Sequence, residues 1–234
     1  MKPILIFEHI NTSKAGLFEA FLKLRSLPYQ ILYPNNGDEI PDPSDLSSFS
    51  GLCFLGGIES VTQPSQAMLR EITLIKAAKK TGQPVIGHCL GGQLISKALG
   101  GEVTQHSLVE FGWSTLYPET NQIASQWLGN SSENLKAMQW HSDTFTIPKG
   151  ATKILGGDFC TNQAFVYEKM LAMQFHVEIE LDMIKHWASE LHEKHPAPGD
   201  GVQTSEEILK LSVDNYELSR KLAKQLYSLW SDNL

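Results

Sequence analysis

Cysteine is scarce in this 234-residue chain: there are three, Cys53, Cys89 and Cys160, far apart and without a Cys-x-x-Cys pair. An odd, dispersed set speaks against a disulfide framework and a cysteine-rich zinc site, and it suits a reducing compartment. Positive charge is also short. Nineteen Lys and Arg stand against 26 Asp and Glu, a formal charge of −7, which argues against the basic face that a non-specific grip on nucleic acid needs. No apolar run is long enough to cross a bilayer. The opening run stops by Phe7, with Glu8 and His9 next, so no signal peptide is expected. There is no internal repeat, no low-complexity block and no Gly-rich phosphate loop. These absences lead to the expectation of a cytoplasmic protein with no membrane or nucleic-acid partner, no cofactor and no bound metal.

What is present suits a folded enzyme-sized domain. Apolar residues make up 41% of the chain, enough for a real core. A short apolar run at 4–7 reads as a buried strand, and 29–33, 51–55 and 84–87 read as further strands. Helical spacing separates them, at 14–25 with Leu17, Phe21 and Leu24 on one face, at 64–80 with Met68, Ile72 and Ile75 inward, and at 90–99. Alternation at this spacing predicts an α/β fold with a doubly wound, mainly parallel sheet and flanking helices. After Gly101 the pattern changes to short strand-like pieces at 102–104, 113–117, 135–140, 164–168 and 171–175, several of them candidates for antiparallel pairing. A helix is expected near 180–194. Pro196 to Gly201 reads as a break or short linker. Beyond it, Thr204-Ser205-Glu206-Glu207 offers a capping box, and Leu218, Leu222, Leu226 and Leu229 make an apolar stripe. The expected division is a main domain over 1–195 and a linker with a helical extension over 196–234, packed on the domain or on a second copy in a homo-oligomer.

The stretch Pro84-Val-Ile-Gly-His-Cys-Leu-Gly-Gly-Gln93 carries the chemistry. Gly87-x-Cys89-x-Gly91 has the form of a nucleophile elbow, in which glycines flank a reactive side chain where a Cβ would collide with neighbouring backbone. The elbow holds the sulfur at the carboxyl end of a strand and at the start of a helix, whose partial positive charge favours thiolate. The Leu90 N–H then points where an oxyanion would form. A thiol nucleophile needs a base. His176 and Glu178, read as strand residues two apart, share a face, so the carboxylate can orient the imidazole. Gly56–Gly57 closes another strand and lets backbone approach a substrate, where a glycine N–H could complete the oxyanion hole.

Together these segments resemble the class I glutamine amidotransferases, most closely in style the glutaminase half of GMP synthetase. The motifs read Gly56-Gly57-Ile58-Glu59-Ser60, Gly87-His88-Cys89-Leu90-Gly91-Gly92-Gln93 and His176-Val177-Glu178, in family order and spacing, over roughly residues 4–190. Glu110 to Trp113 and Trp140 to Phe145 also resemble family segments. Ile58 and Val177 stand where the family has proline. The resemblance implies a flavodoxin-like domain and hydrolysis of the glutamine side-chain amide through a γ-glutamyl thioester, with Cys89 as nucleophile, His176 as base, Glu178 as orienter and the Gly57 N–H in the oxyanion hole. It implies substrate contacts from Gly56, Gln93, His141, Ser142 and Asp143. It leaves open whether ammonia passes to a synthase partner, or whether the chain is a free-standing γ-glutamyl hydrolase or peptidase on other small γ-glutamyl substrates. A non-catalytic binding or regulatory module is the third reading, and intact Cys89, His176 and Glu178 argue against it.

Other chemistry-bearing residues read as structural. His88, beside the nucleophile, is expected to pack away from it. His192 and His195 suit a solvated helix end. Cys53 reads as core, Cys160 has no assigned role, and Trp113, Trp140 and Trp187 read as core or pocket wall.

Overall fold

The computed structural model describes residues 1–10, 14–129, 135–190 and 197–234. Four strands, β1 (Ile4–Phe7), β2 (Tyr29–Leu32), β3 (Gly51–Phe54) and β4 (Val85–His88), pair in parallel with a fifth, β9 (Met170–Met173). The sheet runs β2-β1-β3-β4-β9-β8-β7-β5-β6. From β9 onward, β8 (Ala164–Tyr167), β7 (Thr152–Gly157), β5 (Val103–Pro118) and β6 (Leu135–Phe145) pair antiparallel. The change of pattern after Gly101 is thus the switch from a parallel to an antiparallel half.

The two-residue period of β1 shows how the layers form. Ile4 and Ile6 belong to one apolar cluster, Leu5 and Phe7 to another on the opposite face. The first cluster is covered by helices α1 (Gly16–Leu24), α4 (Gln122–Leu128) and α6 (Ser205–Ser231); the second by α2 (Gln66–Thr81) and α3 (Leu90–Ala98). Helix α5 (Leu181–Glu190) packs through Ile184, Trp187 and Ala188 into a third cluster with Phe111, Trp113 and Met138.

Several expectations change in detail. The buried face of α1 is Phe18, Phe21 and Leu22, and Leu24 lies in solvent. The buried stripe is centred on Phe18, Phe21 and Leu22, so of the expected face only Phe21 is buried. The pieces at 102–104 and 113–117 are the ends of one 16-residue strand, β5, whose register shifts between Gln105 and Glu110. That irregularity breaks the apolar alternation a single strand would show. Helix α4 and strand β7 carried no sequence expectation. His192 and His195 lie outside the described residues.

Residues 199–203 do not hang free. Val202 bridges to Phe111, and the Phe111 and Gln203 N–H groups bond to Gly201 and Phe111 carbonyls at 2.7 and 2.9 Å. The capping box at Thr204 and Glu207 is present in both directions. Leu222, Leu226, Tyr227 and Trp230 of α6 are buried in the first cluster, whereas Leu218 is 36% exposed. Burying each of the large apolar side chains contributes about 1.5–3 kcal/mol, so α6 closes the same core that β1, β3 and β4 line.

Candidate active site

Strand β4 ends at His88 and helix α3 starts at Leu90, with no loop between. Cys89 makes that turn with φ 50° and ψ −107°, a conformation that costs a non-glycine residue roughly 1–3 kcal/mol. The surroundings force it. A Cβ on Gly87 would collide with the Gly91 carbonyl, and one on Gly91 would collide with the Phe54 carbonyl of β3. The elbow can therefore form only with glycines in these places. The Cys89 N–H donates to the Met173 carbonyl at 2.9 Å, tying the turn to β9. The side chain is buried, its Sγ 3.7 Å from both the Trp140 carbonyl and the Gln174 amide nitrogen.

His176 and Glu178 follow β9 but do not lie in a strand: β9 stops at Met173, and His176 makes only an isolated bridge to Met138. The shared strand face is not what pairs them. Backbone anchors do the work, the His176 N–H on the Met138 carbonyl (2.8 Å) and the Glu178 carbonyl accepting from the Leu17 N–H (2.7 Å). His176 Nδ1 and Glu178 Oε1 then meet at 2.6 Å, both side chains buried. The other ring nitrogen is left for the Cys89 thiol, whose neighbourhood helps to raise the His176 pKa. Trp187 packs edge-on to the imidazole at 5.0 Å.

Burial alone would lower the His176 pKa, but Glu178 and Cys89 outweigh it and push it up to about 10. Burial works against the Glu178 charge too, and the His176 charge overrides it, bringing the carboxyl down to about 2. His88 has no such partner. Desolvation takes its pKa down to about 4, and its Nε2 meets the Tyr227 hydroxyl of α6 at 3.0 Å. It faces away from the thiol, into the core.

The glycine loop lies against this pair. A Cβ on Gly56 would stand 2.8 Å from His176 Cε1 and 3.8 Å from Cys89 Cβ. A Cβ on Gly57 would collide with the Leu90 side chain and approach His9 Cβ at 3.1 Å. The segments carrying the Gly57 and Leu90 N–H groups are therefore packed on each other beside the sulfur. At the end of the loop, the Ser60 hydroxyl bonds to the Asp143 carboxylate. Gln93 is buried, its amide nitrogen 3.3 Å from both the Asp143 carbonyl and Gln174 Oε1. Ser142 is exposed.

His141 is turned elsewhere. Its Nε2 meets Glu110 Oε2 at 2.9 Å and its Nδ1 meets the Asp143 carbonyl at 2.9 Å. Gln163 donates to the same Glu110 oxygen at 2.8 Å and accepts from Gln139 at 3.1 Å. Among the described residues, Glu110, His141 and Cys160 form a group whose ligand-type atoms lie within 4.8 Å of one another. Each already has a protein partner, the Cys160 thiol with Thr144 and the Asn162 carbonyl, and burial pushes that thiol's pKa up. A hydrogen-bonded network accounts for the grouping.

Sequence reasoning missed Gln174, Glu110, Gln163, His9 and Glu71. Gln174 stands two residues before His176, and Glu110 opens the Glu-Phe-Gly-Trp segment; both were in view without a role. His9, Glu71 and Gln163 are joined to the site only by the fold.

Comparison with known proteins places this geometry. The model for the family "Glutamine amidotransferase class-I" matches residues 9–186. A GMP synthase (glutamine-hydrolyzing) of Wolbachia pipientis is 30% identical over 58% of the chain, which spans only 27% of that protein's length. A glutamine amidotransferase-like protein of Salmonella typhimurium is 28% identical over 94% of both chains. The crystal structure of a glutamine amidotransferase from Methylobacillus flagellatus superposes with a TM-score of 0.94, at 34% identity, over 100% of this chain and 96% of that one. No helix among the described residues is long and apolar enough to cross a membrane.

Proposed function

The chain belongs to the class-I glutamine amidotransferase family, and from that premise we propose that it hydrolyses the side-chain amide of glutamine through Cys89, His176 and Glu178. The observation that carries this reading is the strained Cys89 elbow, with a buried His176 fixed at 2.6 Å on Glu178 beside it. Cys89 Sγ attacks the amide carbon. His176 holds the thiol proton, with one nitrogen on Glu178 and the other on the sulfur. An imidazolium there stabilises negative charge on a neighbouring sulfur.

The Gly57 and Leu90 N–H groups receive the oxyanion of the tetrahedral intermediate. As the C–N bond breaks, His176 gives its proton to the departing ammonia. Water, deprotonated by the same imidazole, then cleaves the γ-glutamyl thioester to glutamate. Gln93 and the Asp143 segment hold the far end of the substrate. The Ser60–Asp143 bond and the Gln93–Gln174 bond keep those groups in place around the thiol. In this reading residues 1–195 carry the chemistry and residues 196–234 brace it, through Tyr227 on His88. The ammonia is delivered to a separate acceptor, as the likeness to GMP synthase suggests.

Release of ammonia from glutamine by the purified chain, compared with Cys89→Ala and Cys89→Ser, tests the proposal. Both variants are expected to fold and to release none. Wild-type turnover by Cys89→Ala would rule the mechanism out, and a preference for γ-glutamyl peptides over glutamine would replace it with the hydrolase reading.

A further inference from the structure

His9 and Glu71 form a third buried histidine–carboxylate pair, beside His176–Glu178 and His141–Glu110. His9 lies just past β1, at the carboxyl end of the sheet, and is 5% exposed; Glu71, on α2, is fully buried. Imidazole Nε2 meets Glu71 Oε2 at 3.1 Å, and Nδ1 meets the Leu55 carbonyl at 3.1 Å. Both partners present oxygen atoms to the ring, so its two nitrogens are both engaged. The His9 carbonyl accepts from the Asn35 amide at 2.8 Å, which fixes the backbone behind the ring. An aliphatic contact would cover this corner at less cost, because a buried carboxylate demands desolvation.

What the pair touches explains its place. Leu55 is the last residue before Gly56–Gly57, and its carbonyl shares a peptide plane with the Gly56 N–H. Planarity makes the two point in opposite directions, so holding the carbonyl aims the N–H. His9 Cβ also lies where a Cβ on Gly57 would approach it at 3.1 Å, so Gly57 is held between His9 and Leu90. Glu71 belongs to the helix that the same loop leads into. One imidazole thus grips the loop's entry and the helix at its exit. The Ser60–Asp143 bond pins the segment between them, and only the tip is free, with Ile58 84% exposed.

We propose that His9, oriented by Glu71, is a positioning residue for the Gly56–Gly57 loop: by fixing the Leu55–Gly56 peptide plane and the seat of Gly57, it sets the direction of the Gly57 N–H that receives the oxyanion. This rests on the reading of Cys89 as an amide-hydrolysing thiol. The prediction separates two reactions of one sulfur. Glutamine hydrolysis passes through a tetrahedral oxyanion; alkylation by iodoacetamide is a displacement at carbon, in which the thiolate gains a bond and iodide leaves, and forms no oxyanion.

The experiment compares kcat and KM for glutamine with the iodoacetamide alkylation rate of Cys89 in wild type, His9→Gln, His9→Asn and Glu71→Gln. A Gln amide nitrogen falls near the Nε2 position and keeps Glu71 but loses Leu55; an Asn amide nitrogen falls near Nδ1 and keeps Leu55. His9→Gln is expected to lower kcat at least about tenfold, a fraction of the loss from deleting an oxyanion donor, with KM and alkylation within about threefold of wild type. His9→Asn should recover most of that loss, and Glu71→Gln should fall between them. Unchanged kcat in His9→Gln overturns the proposal, as does an equal fall in kcat and alkylation, or a His9→Asn no better than His9→Gln. If His9→Gln does not fold, His9→Leu, which loses both bonds, against His9→Asn gives the same comparison. Absence of hydrolysis by the wild-type chain, with alkylation intact, overturns the reading of the site and this inference with it.

Discussion

His176–Glu178 and His141–Glu110 are built from the same two residue types, both are buried, and both have a ring nitrogen within 2.9 Å of a carboxylate oxygen. They differ in what the second nitrogen meets. For His176 it is a thiol; for His141 it is the Asp143 carbonyl. A carbonyl has no proton to give, so the His141 ring is locked from both sides. The His176 ring is held on one side and can exchange a proton on the other. In the proposed reaction one histidine–carboxylate pair is a scaffold and the other a base according to one contact, and residue identity does not tell which.

The sharpest way to break this comparison is to make the same kind of substitution in both pairs. His176→Asn keeps a donor near Nδ1 for Glu178 and removes the nitrogen facing the sulfur. It is expected to lower kcat for glutamine hydrolysis at least about a hundredfold, the scale of a lost general base. His141→Gln keeps the donor to Glu110 and drops the one to Asp143. Its loss should stay within about tenfold and fall mainly on KM, because it loosens the segment that holds Gln93. Equal losses in steady-state assays would erase the distinction.

The carboxylates sharpen it further. Glu110→Gln disturbs a network of His141, Gln163 and Gln139 and is expected to cost about 1–3 kcal/mol of stability in urea unfolding, on the scale of unsatisfied buried polar groups. Glu178→Gln should cost turnover first, though less than His176→Asn, since it still orients the ring. A stability loss confined to Glu178→Gln would reverse the assignment of base and scaffold.

Acid and base titration set His176 against His88. His176 moves from 6.5 up to about 10 and Glu178 from 4.5 down to about 2. The folded state holds the His176 proton longer than the unfolded chain does. Its contribution is complete below pH 6.5 and is lost as pH rises through about 10; that of Glu178 is complete above 4.5 and is lost as pH falls through about 2. His88 has the opposite sign. With a folded pKa of about 4 against 6.5, the unfolded chain takes the proton first, so stability falls as pH drops from 6.5 through 4. Urea midpoints measured from pH 4 to 10 should therefore lose an acid-side slope in His88→Gln and an alkaline-side slope in His176→Gln. The same slope in both variants would contradict the burial-driven origin of the His88 shift. The smallest effect is expected from Tyr227→Phe, about 1 kcal/mol for one buried hydrogen bond, read as a shift in the urea midpoint with alkylation of Cys89 unchanged.

The parallel half of the fold was legible because β1, β3 and β4 are short, wholly buried runs between helical patterns. The antiparallel half was less so. β5 changes register within its length, and α4 has only seven residues, too few for a period to stand out. The elbow was legible for a local reason: glycines on both sides of a cysteine answer a collision with backbone a few ångströms away. Gly56–Gly57 was legible in the same way. His176 and Glu178 were found through a strand that ends three residues too early, and the pair survives because Met138 and Leu17 hold its backbone. His9 and Glu71 are 62 residues apart, and no spacing rule joins an imidazole after β1 to a carboxylate on α2. The locking of His141 was hidden too, since only the bent β5–β6 pairing brings Glu110 beneath it.

The bond between His88 and Tyr227 spans 139 residues, and the Cys89 N–H waits for a carbonyl in β9. On a ribosome, the segment through α3 emerges with its thiol long before either support exists. The φ of 50° at Cys89 gains its last supports only when β9 lies beside β4 and the last helix closes over Phe18 and His88. The contacts that brace the turn at Cys89 are therefore complete only once the chain has passed Tyr227.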